Sequence, residues 1–198
     1  MEFTMRAKGK QYSPEDLIRD VKELLAREKL SDDVFSKIGE FLKKISLRED
    51  LMEIGEHRGK GINAIDSYVI YRDPLPDGPI IILAQFDRAT EIHNHGTWGV
   101  MCAYKGREHY TQWKRNDNGE EPGKVDLELV KDLILVEGDI VWWPDVPNDI
   151  HKQDPIDDSM WQLVYMGRNT MGGDEQHYDP KLGTSWEADI PNSSRRRV

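Results

Sequence analysis

From about residue 62 to residue 166 the chain consists of short runs of β-branched and aromatic residues, each cut off by turn formers. Tyr68-Val69-Ile70-Tyr71 stops at Asp73-Pro74, Ile80 to Phe86 is apolar, Trp98 to Tyr104 stops at Lys105-Gly106, and Glu108 to Trp113 stops at Asn116-Asp117-Asn118-Gly119. Leu127–Val136, Asp139–Trp143 and Met160–Met166 continue the series. Runs of this length suit strands, and the glycine, proline and asparagine between them supply tight turns. At least seven such strands at short spacing predict an antiparallel sandwich or barrel.

Ahead of the strands the hydrophobic period changes. Ser13-Pro14-Glu15-Asp16 offers an N-cap, a proline at the first helical position and acids in the first turn, followed by Leu17, Ile18, Val21, Leu24 and Leu25. Ser31-Asp32-Asp33 opens a second helix with Val34, Phe35, Ile38, Phe41, Leu42 and Ile45 at helical spacing. Stripes of this kind are packing faces, and the expected role of both helices is to cover one side of the barrel. The 198 residues are therefore read as one structural domain, with helices over 1–55, a barrel over 56–170 and an irregular extension over 171–198 that Trp186 docks onto the barrel.

The formal charge of −10 argues against nucleic acid and anionic membranes as partners, because binding to either depends on clustered lysine and arginine. The one basic run, Arg195-Arg196-Arg197, is expected to be a solvated tail. The longest apolar runs, such as Ile80 to Ala84, fall far short of the roughly 20 residues that cross a bilayer. One cysteine, Cys102, allows no internal disulfide, and the N-terminus shows no charged-then-apolar leader, so the expected setting is the reducing cytoplasm.

The stretch His93-Asn94-His95-Gly96-Thr97-Trp98-Gly99 carries the chemistry. Side chains alternate along a strand, so His93 and His95 point the same way if they share one. On an outer strand such a pair would be two exposed imidazoles or a hydrogen-bonded pair. In a barrel interior they can bind one metal ion. A second stretch, Glu137-Gly138-Asp139 followed by Pro147-Asn148-Asp149-Ile150-His151, brings a third histidine after a proline-marked bend. Three imidazoles on one side of an ion leave positions open for substrate and oxygen.

In their order and spacing these two stretches resemble the two halves of the cupin signature. Within the cupins the chain is similar to the cysteine dioxygenase and 3-mercaptopropionate dioxygenase group of thiol dioxygenases. The resemblance rests on His93 to Gly99, Gly106, Gly138-Asp139 and Asp149-Ile150-His151, and spans about residues 60–166. It implies a mainly β fold, the double-stranded β-helix or jelly roll, with an N-terminal helical segment. It also implies a mononuclear Fe(II) centre on His93, His95 and His151, at a type of site that accepts Mn, Ni or Zn as well. The implied partners are a small-molecule substrate and dioxygen, with Tyr165 positioning one of them. Lyase, isomerase or carbon–carbon-cleaving chemistry, or a non-catalytic binding module, remain open alternatives on the same fold.

Several positions depart from the family pattern. The place of the usual cupin glutamate, a cysteine in some thiol dioxygenases, is Gly99, and Cys102 should point away from the metal. Where relatives carry Ser-x-His-x-Tyr this chain has Trp161, Leu163 and Tyr165, and where they carry Tyr-x-Arg it has Tyr68 and Ile70. Arg72, with the same strand parity as Tyr68, is the candidate to replace that arginine, with Arg88 behind it. The expected substrate is an uncharged or weakly charged ligand lying against Ile70, Trp161 and Leu163. His57 and His177 carry no motif, His109 is expected at the surface or the core edge with a cavity-facing place as the alternative, and Trp98, Trp142 and Trp143 are expected in core and cavity wall.

Overall fold

A computed structural model describes residues 11–61, 63–170, 173 and 175–188. Gly172, Asp174 and the Arg195-Arg196-Arg197 run lie outside the described residues. Helices α1 (Pro14–Leu25) and α2 (Asp32–Ser46) start where their caps place them. The Asp16 amide donates to Ser13 Oγ at 3.2 Å while the Ser13 amide donates to Asp16 Oδ2 at 3.1 Å, a reciprocal capping box. Ser31 Oγ accepts from the Val34 amide at 3.3 Å. A third helix, α3 (Leu51–Ile54), is a single turn, too short to leave a periodic stripe in the sequence.

Twelve strands follow among the described residues: β1 (Glu56–His57), β2 (Asp66–Arg72), β3 (Ile80–Phe86), β4 (Ile92–His93), β5 (Gly99–Lys105), β6 (Glu108–Arg115), β7 (Leu127–Leu135), β8 (Ile140–Trp143), β9 (Ile150–Pro155), β10 (Met160–Met166), β11 (Gln176–Asp179) and β12 (Thr184–Glu187). They form two six-stranded antiparallel sheets in the orders β1-β2-β3-β10-β5-β8 and β12-β11-β4-β9-β6-β7. Within the eight strands from β3 to β10, first pairs with last, second with seventh, third with sixth and fourth with fifth. That nested pairing is the jelly roll. The extension expected to be irregular instead forms the β11–β12 hairpin, which adds to the open edge of β4 and places Trp186 5.9 Å from His177.

Alternation along the first sheet sorts its side chains into two cores. Val100, Cys102, Tyr104, Leu163 and Tyr165 face the helices and pack with Leu17, Val21, Ile38 and Leu42. Met101, Ala103, Val141, Trp143 and Met166 face the second sheet and meet Tyr110 and Leu135 between the layers. The helices thus cover the outside of the first sheet, and the space between the sheets is left for the site. No helix is long and apolar enough to cross a membrane.

Candidate metal centre

His93 closes β4, and its partner across the ladder is His151 on β9. Facing residues of an antiparallel pair point the same way, so the two rings sit side by side, 3% and 0% exposed. His95 lies just past the end of β4, a departure from the expectation that the pair shares one strand. A locked turn returns it to the site. Gly96 takes φ +70°, a conformation that suits glycine, and Asp149 Oδ2 accepts from the amides of His95 at 3.0 Å and Gly96 at 2.6 Å. From the other side Arg168 donates to the Gly96 carbonyl at 2.9 Å while paired with Asp145 at 2.6 Å.

The three rings converge. Their ligand atoms all lie within 4.8 Å of one another, and the Nε2 atoms of His95 and His151 are 3.0 Å apart. Two nitrogens held at right angles about 2.1 Å from one ion would be about 3.0 Å apart. Tautomers agree with this. His93 Nδ1 sits 2.9 Å from the Glu91 carbonyl, which can only accept, so Nδ1 carries the proton and Nε2 the lone pair. His151 Nδ1 lies 3.2 Å from the Tyr110 hydroxyl, the second partner that orients a metal-binding imidazole. Burial, with the neighbouring His93, pushes His95 down to about 3 and His151 well below its ordinary value, so both rings stay neutral at pH 7 and keep lone pairs for a cation. The donor set and its hydrogen bonds fit a single metal ion.

Three further groups complete the surroundings. Trp143 stands with its ring centroid 4.4 Å from His151 and 5.4 Å from His95, fixed by a 2.9 Å bond from its indole N–H to the Thr97 carbonyl. Between the sheets a buried polar chain runs from Gln153 Nε2 to Gln162 Oε1 at 3.2 Å and from Gln162 Nε2 to Glu108 Oε2 at 2.5 Å. Burial outweighs the pull of Gln162 and pushes the Glu108 carboxyl up to about 8. On the β11 side, Glu175 Oε1 accepts from His177 Nε2 at 3.1 Å and Asn63 Nδ2 at 3.2 Å. Burial raises the Glu175 carboxyl, but the His177 bond and the nearby His93 and His95 outweigh it and hold it below the ordinary value.

No family model and no curated protein matches the chain. Among solved structures it is similar to an RmlC-like cupin from Shewanella frigidimarina, with 13% identity, 58% of this chain and 84% of that one covered, and a TM-score of 0.41. A cupin superfamily protein from Desulfitobacterium hafniense shares 14% identity over 50% of this chain and 73% of its own, with a TM-score of 0.36. An oxalate oxidase shares 14% identity over 47% of this chain at a TM-score of 0.37, and the match spans 43% of its length.

The structure brings His93, His95 and His151 together and leaves Tyr165 and Arg72 elsewhere. Tyr165 packs in the helix-facing core against Trp98, 5.5 Å between ring centroids, on the other face of the first sheet from the interior. Ile70, Leu163 and Trp161 share that face, so the substrate wall expected from them is a packing surface. Cys102 lies there too, pointing away from the interior as expected. For Arg72 the parity argument fails for a physical reason. A bulge between Val69 and Tyr71 shifts the register, so Arg72 pairs with Ile80, an interior residue, and no longer matches Tyr68, and it ends exposed at the strand terminus. Arg88 is exposed on a loop, and His109 points outward to Asp132 at 2.6 Å. Sequence reasoning missed Tyr110 and Glu175. The first was legible, because Tyr110 alternates with an outward His109; the second carries no motif and reaches the site only by strand pairing.

Proposed function

We propose that this chain is a mononuclear non-haem Fe(II) oxygenase that oxidises a small metal-chelating molecule, with thiols as the leading class. The observation that supports it is the set of three convergent imidazoles with no carboxylate among the clustered ligand atoms. Three neutral donors leave the full ionic charge uncompensated, a setting that favours a thiolate from the substrate over a neutral ligand. An iron ion held by His93, His95 and His151 would supply the redox chemistry for activating dioxygen toward a bound thiolate. Adding both oxygen atoms to a thiolate gives a sulfinate and balances without an external reductant.

The chain's own residues orient and exclude water. Tyr110 and the Glu91 carbonyl hold the rings of His151 and His93, and the Asp149 carboxylate fixes the turn that carries His95. Trp143, Met101, Val141 and Met166 wall the interior with apolar surface. Tyr165 and Arg72 have no part in this reading.

The test is oxygen uptake by protein loaded anaerobically with Fe(II), offered 2-mercaptoethanol, 2-aminoethanethiol, cysteine and 3-mercaptopropionate. Uptake that needs both iron and thiol, yields one sulfinate per dioxygen and disappears in His151→Ala supports the reading. An iron-loaded protein that consumes no oxygen with any of them overturns the thiol class.

A further inference from the structure

Position 99 has no room for a side chain beside the histidines, and a carboxyl group stands near them from the β11 side instead. A Cβ at position 99 would lie 2.2 Å from the Trp143 ring, so that side of the centre is filled with indole. On the other side β11 runs antiparallel to β4 with His177 opposite His93 and Tyr178 opposite Ile92. The Asn94 amide donates to the Gln176 carbonyl at 3.2 Å, and Asn94 Oδ1 accepts from the Gln176 amide at 2.8 Å, so the pairing continues past the assigned strand. Glu175 follows on the same side of the site, near enough for its charge to act on both His93 and His95. The Ala188 amide bonds the Glu175 carbonyl at 2.8 Å, which fixes its backbone from the β12 side.

The side chain is held as firmly as the backbone. His177 and Asn63 both donate to the same oxygen, Oε1, and the Glu175 side chain is only 16% exposed. His177 itself is buried and braced edge-on against Trp186 at 5.9 Å. Asn63 comes from the connection before β2 and His177 from the C-terminal hairpin, so two distant segments converge to aim one carboxylate. Glu175 is not among the ligand atoms that cluster within 4.8 Å, so it stands outside the histidine set while its charge acts on His93 and His95.

We infer that Glu175, delivered by the C-terminal hairpin, is the charge-setting residue of the metal centre, stabilising a bound divalent cation from outside its ligand set and selecting against substrates that carry a carboxylate. The inference rests on the metal-centre reading above and names the substrate class. A divalent ion with one thiolate keeps a positive charge that Glu175 offsets, whereas a substrate carboxylate would add a further negative charge to a buried site that already holds the Glu175 and Asp149 carboxyl groups. Substrates with a neutral or ammonium group at the far end are therefore preferred. The same preference for a less charged ligand that the sequence suggested through Ile70, Trp161 and Leu163 is thereby assigned to a different residue.

The experiment uses the full chain loaded with Co(II). Glu175→Gln keeps a carbonyl oxygen to accept from His177 and Asn63 and removes only the charge. Co(II) affinity is measured by competition with a chromophoric chelator, and azide is titrated as a bare anion against the cobalt spectrum. The expected result has opposite signs: about 10-fold weaker Co(II) binding, the size found when outer partners of metal sites are removed, together with tighter azide binding. Wild type should bind 2-aminoethanethiol more tightly than 3-mercaptopropionate, and the variant should lose most of that preference. Unchanged affinities for both Co(II) and azide overturn the inference. Loss of both marks Glu175 as merely structural and overturns it equally. A wild-type protein that takes up no Co(II) removes the metal-centre reading itself, and the inference with it.

Discussion

Gly99 and Trp143 are register partners on β5 and β8, and the indole occupies the space that any side chain at position 99 would need. The glycine is thus the counterpart of a large ring that is itself 0% exposed and touches two of the three histidines. Gly99→Ala is expected to destabilise the fold by about 1–3 kcal/mol, the usual cost of overpacking a filled interior. Combining it with Trp143→Ala should give a cost well below the sum of the two single changes, because the second removes the clash created by the first. Urea unfolding of the two single variants and the double variant measures this coupling; strict additivity would mean that the two residues do not share the space.

Metal content should follow the histidines. His93→Ala and His151→Ala are each expected to lose most of the roughly one equivalent of metal that the wild-type chain takes up, while remaining folded by circular dichroism. Adding Co(II) at about 100 times its dissociation constant should raise wild-type stability by roughly 2.7 kcal/mol and leave both variants unmoved. Elemental analysis and thermal unfolding with and without metal provide the check.

Tyr110 and Tyr165 should separate cleanly. Tyr110→Phe removes the partner of His151 Nδ1 and is expected to weaken metal binding about 10–100-fold. Tyr165→Phe changes a residue that packs against Trp98 on the helix side and should leave metal affinity unchanged. The two variants measured by one chelator competition decide it, and an effect of Tyr165→Phe as large as that of Tyr110→Phe would refute the placement of the two rings.

Glu108 makes stability depend on pH. Its carboxyl is pushed from 4.5 up to about 8 by burial, so between these values the folded chain holds a proton that the unfolded chain releases. Its contribution is therefore fully present below pH 4.5 and is lost as the pH rises through 8. At roughly 1.4 kcal/mol per unit of pKa the cost at high pH amounts to several kcal/mol. Glu108→Gln, which cannot ionise, should match wild type near pH 5 and be the more stable protein near pH 9. Denaturant curves at both pH values test it, and a variant equally destabilised at each would show that Gln162 needs a carboxyl there in either form.

The sequence by itself determined seven of the twelve described strands, the two capped helices and which three histidines to bring together. Each of these rests on short-range chemistry. Ser13 and Ser31 accept from amides three residues on, the strands are set by runs of β-branched and aromatic residues, and His93, His95 and His151 sit in a spaced motif. Only the tertiary structure decided which face of each strand meets the interior. One bulge between Val69 and Tyr71 was enough to invert the parity that made Arg72 look like a partner of Tyr68. The same is true of Tyr165, whose strand was read correctly but whose side chain turned toward α1 and α2, because the helices cover that face and the second sheet covers the other. Glu175 shows the limit most plainly. Its place near the histidines depends on β11 pairing with β4 across some eighty positions of sequence, and no local pattern encodes an antiparallel register over that distance, since register is fixed by the whole set of buried faces and turns at once.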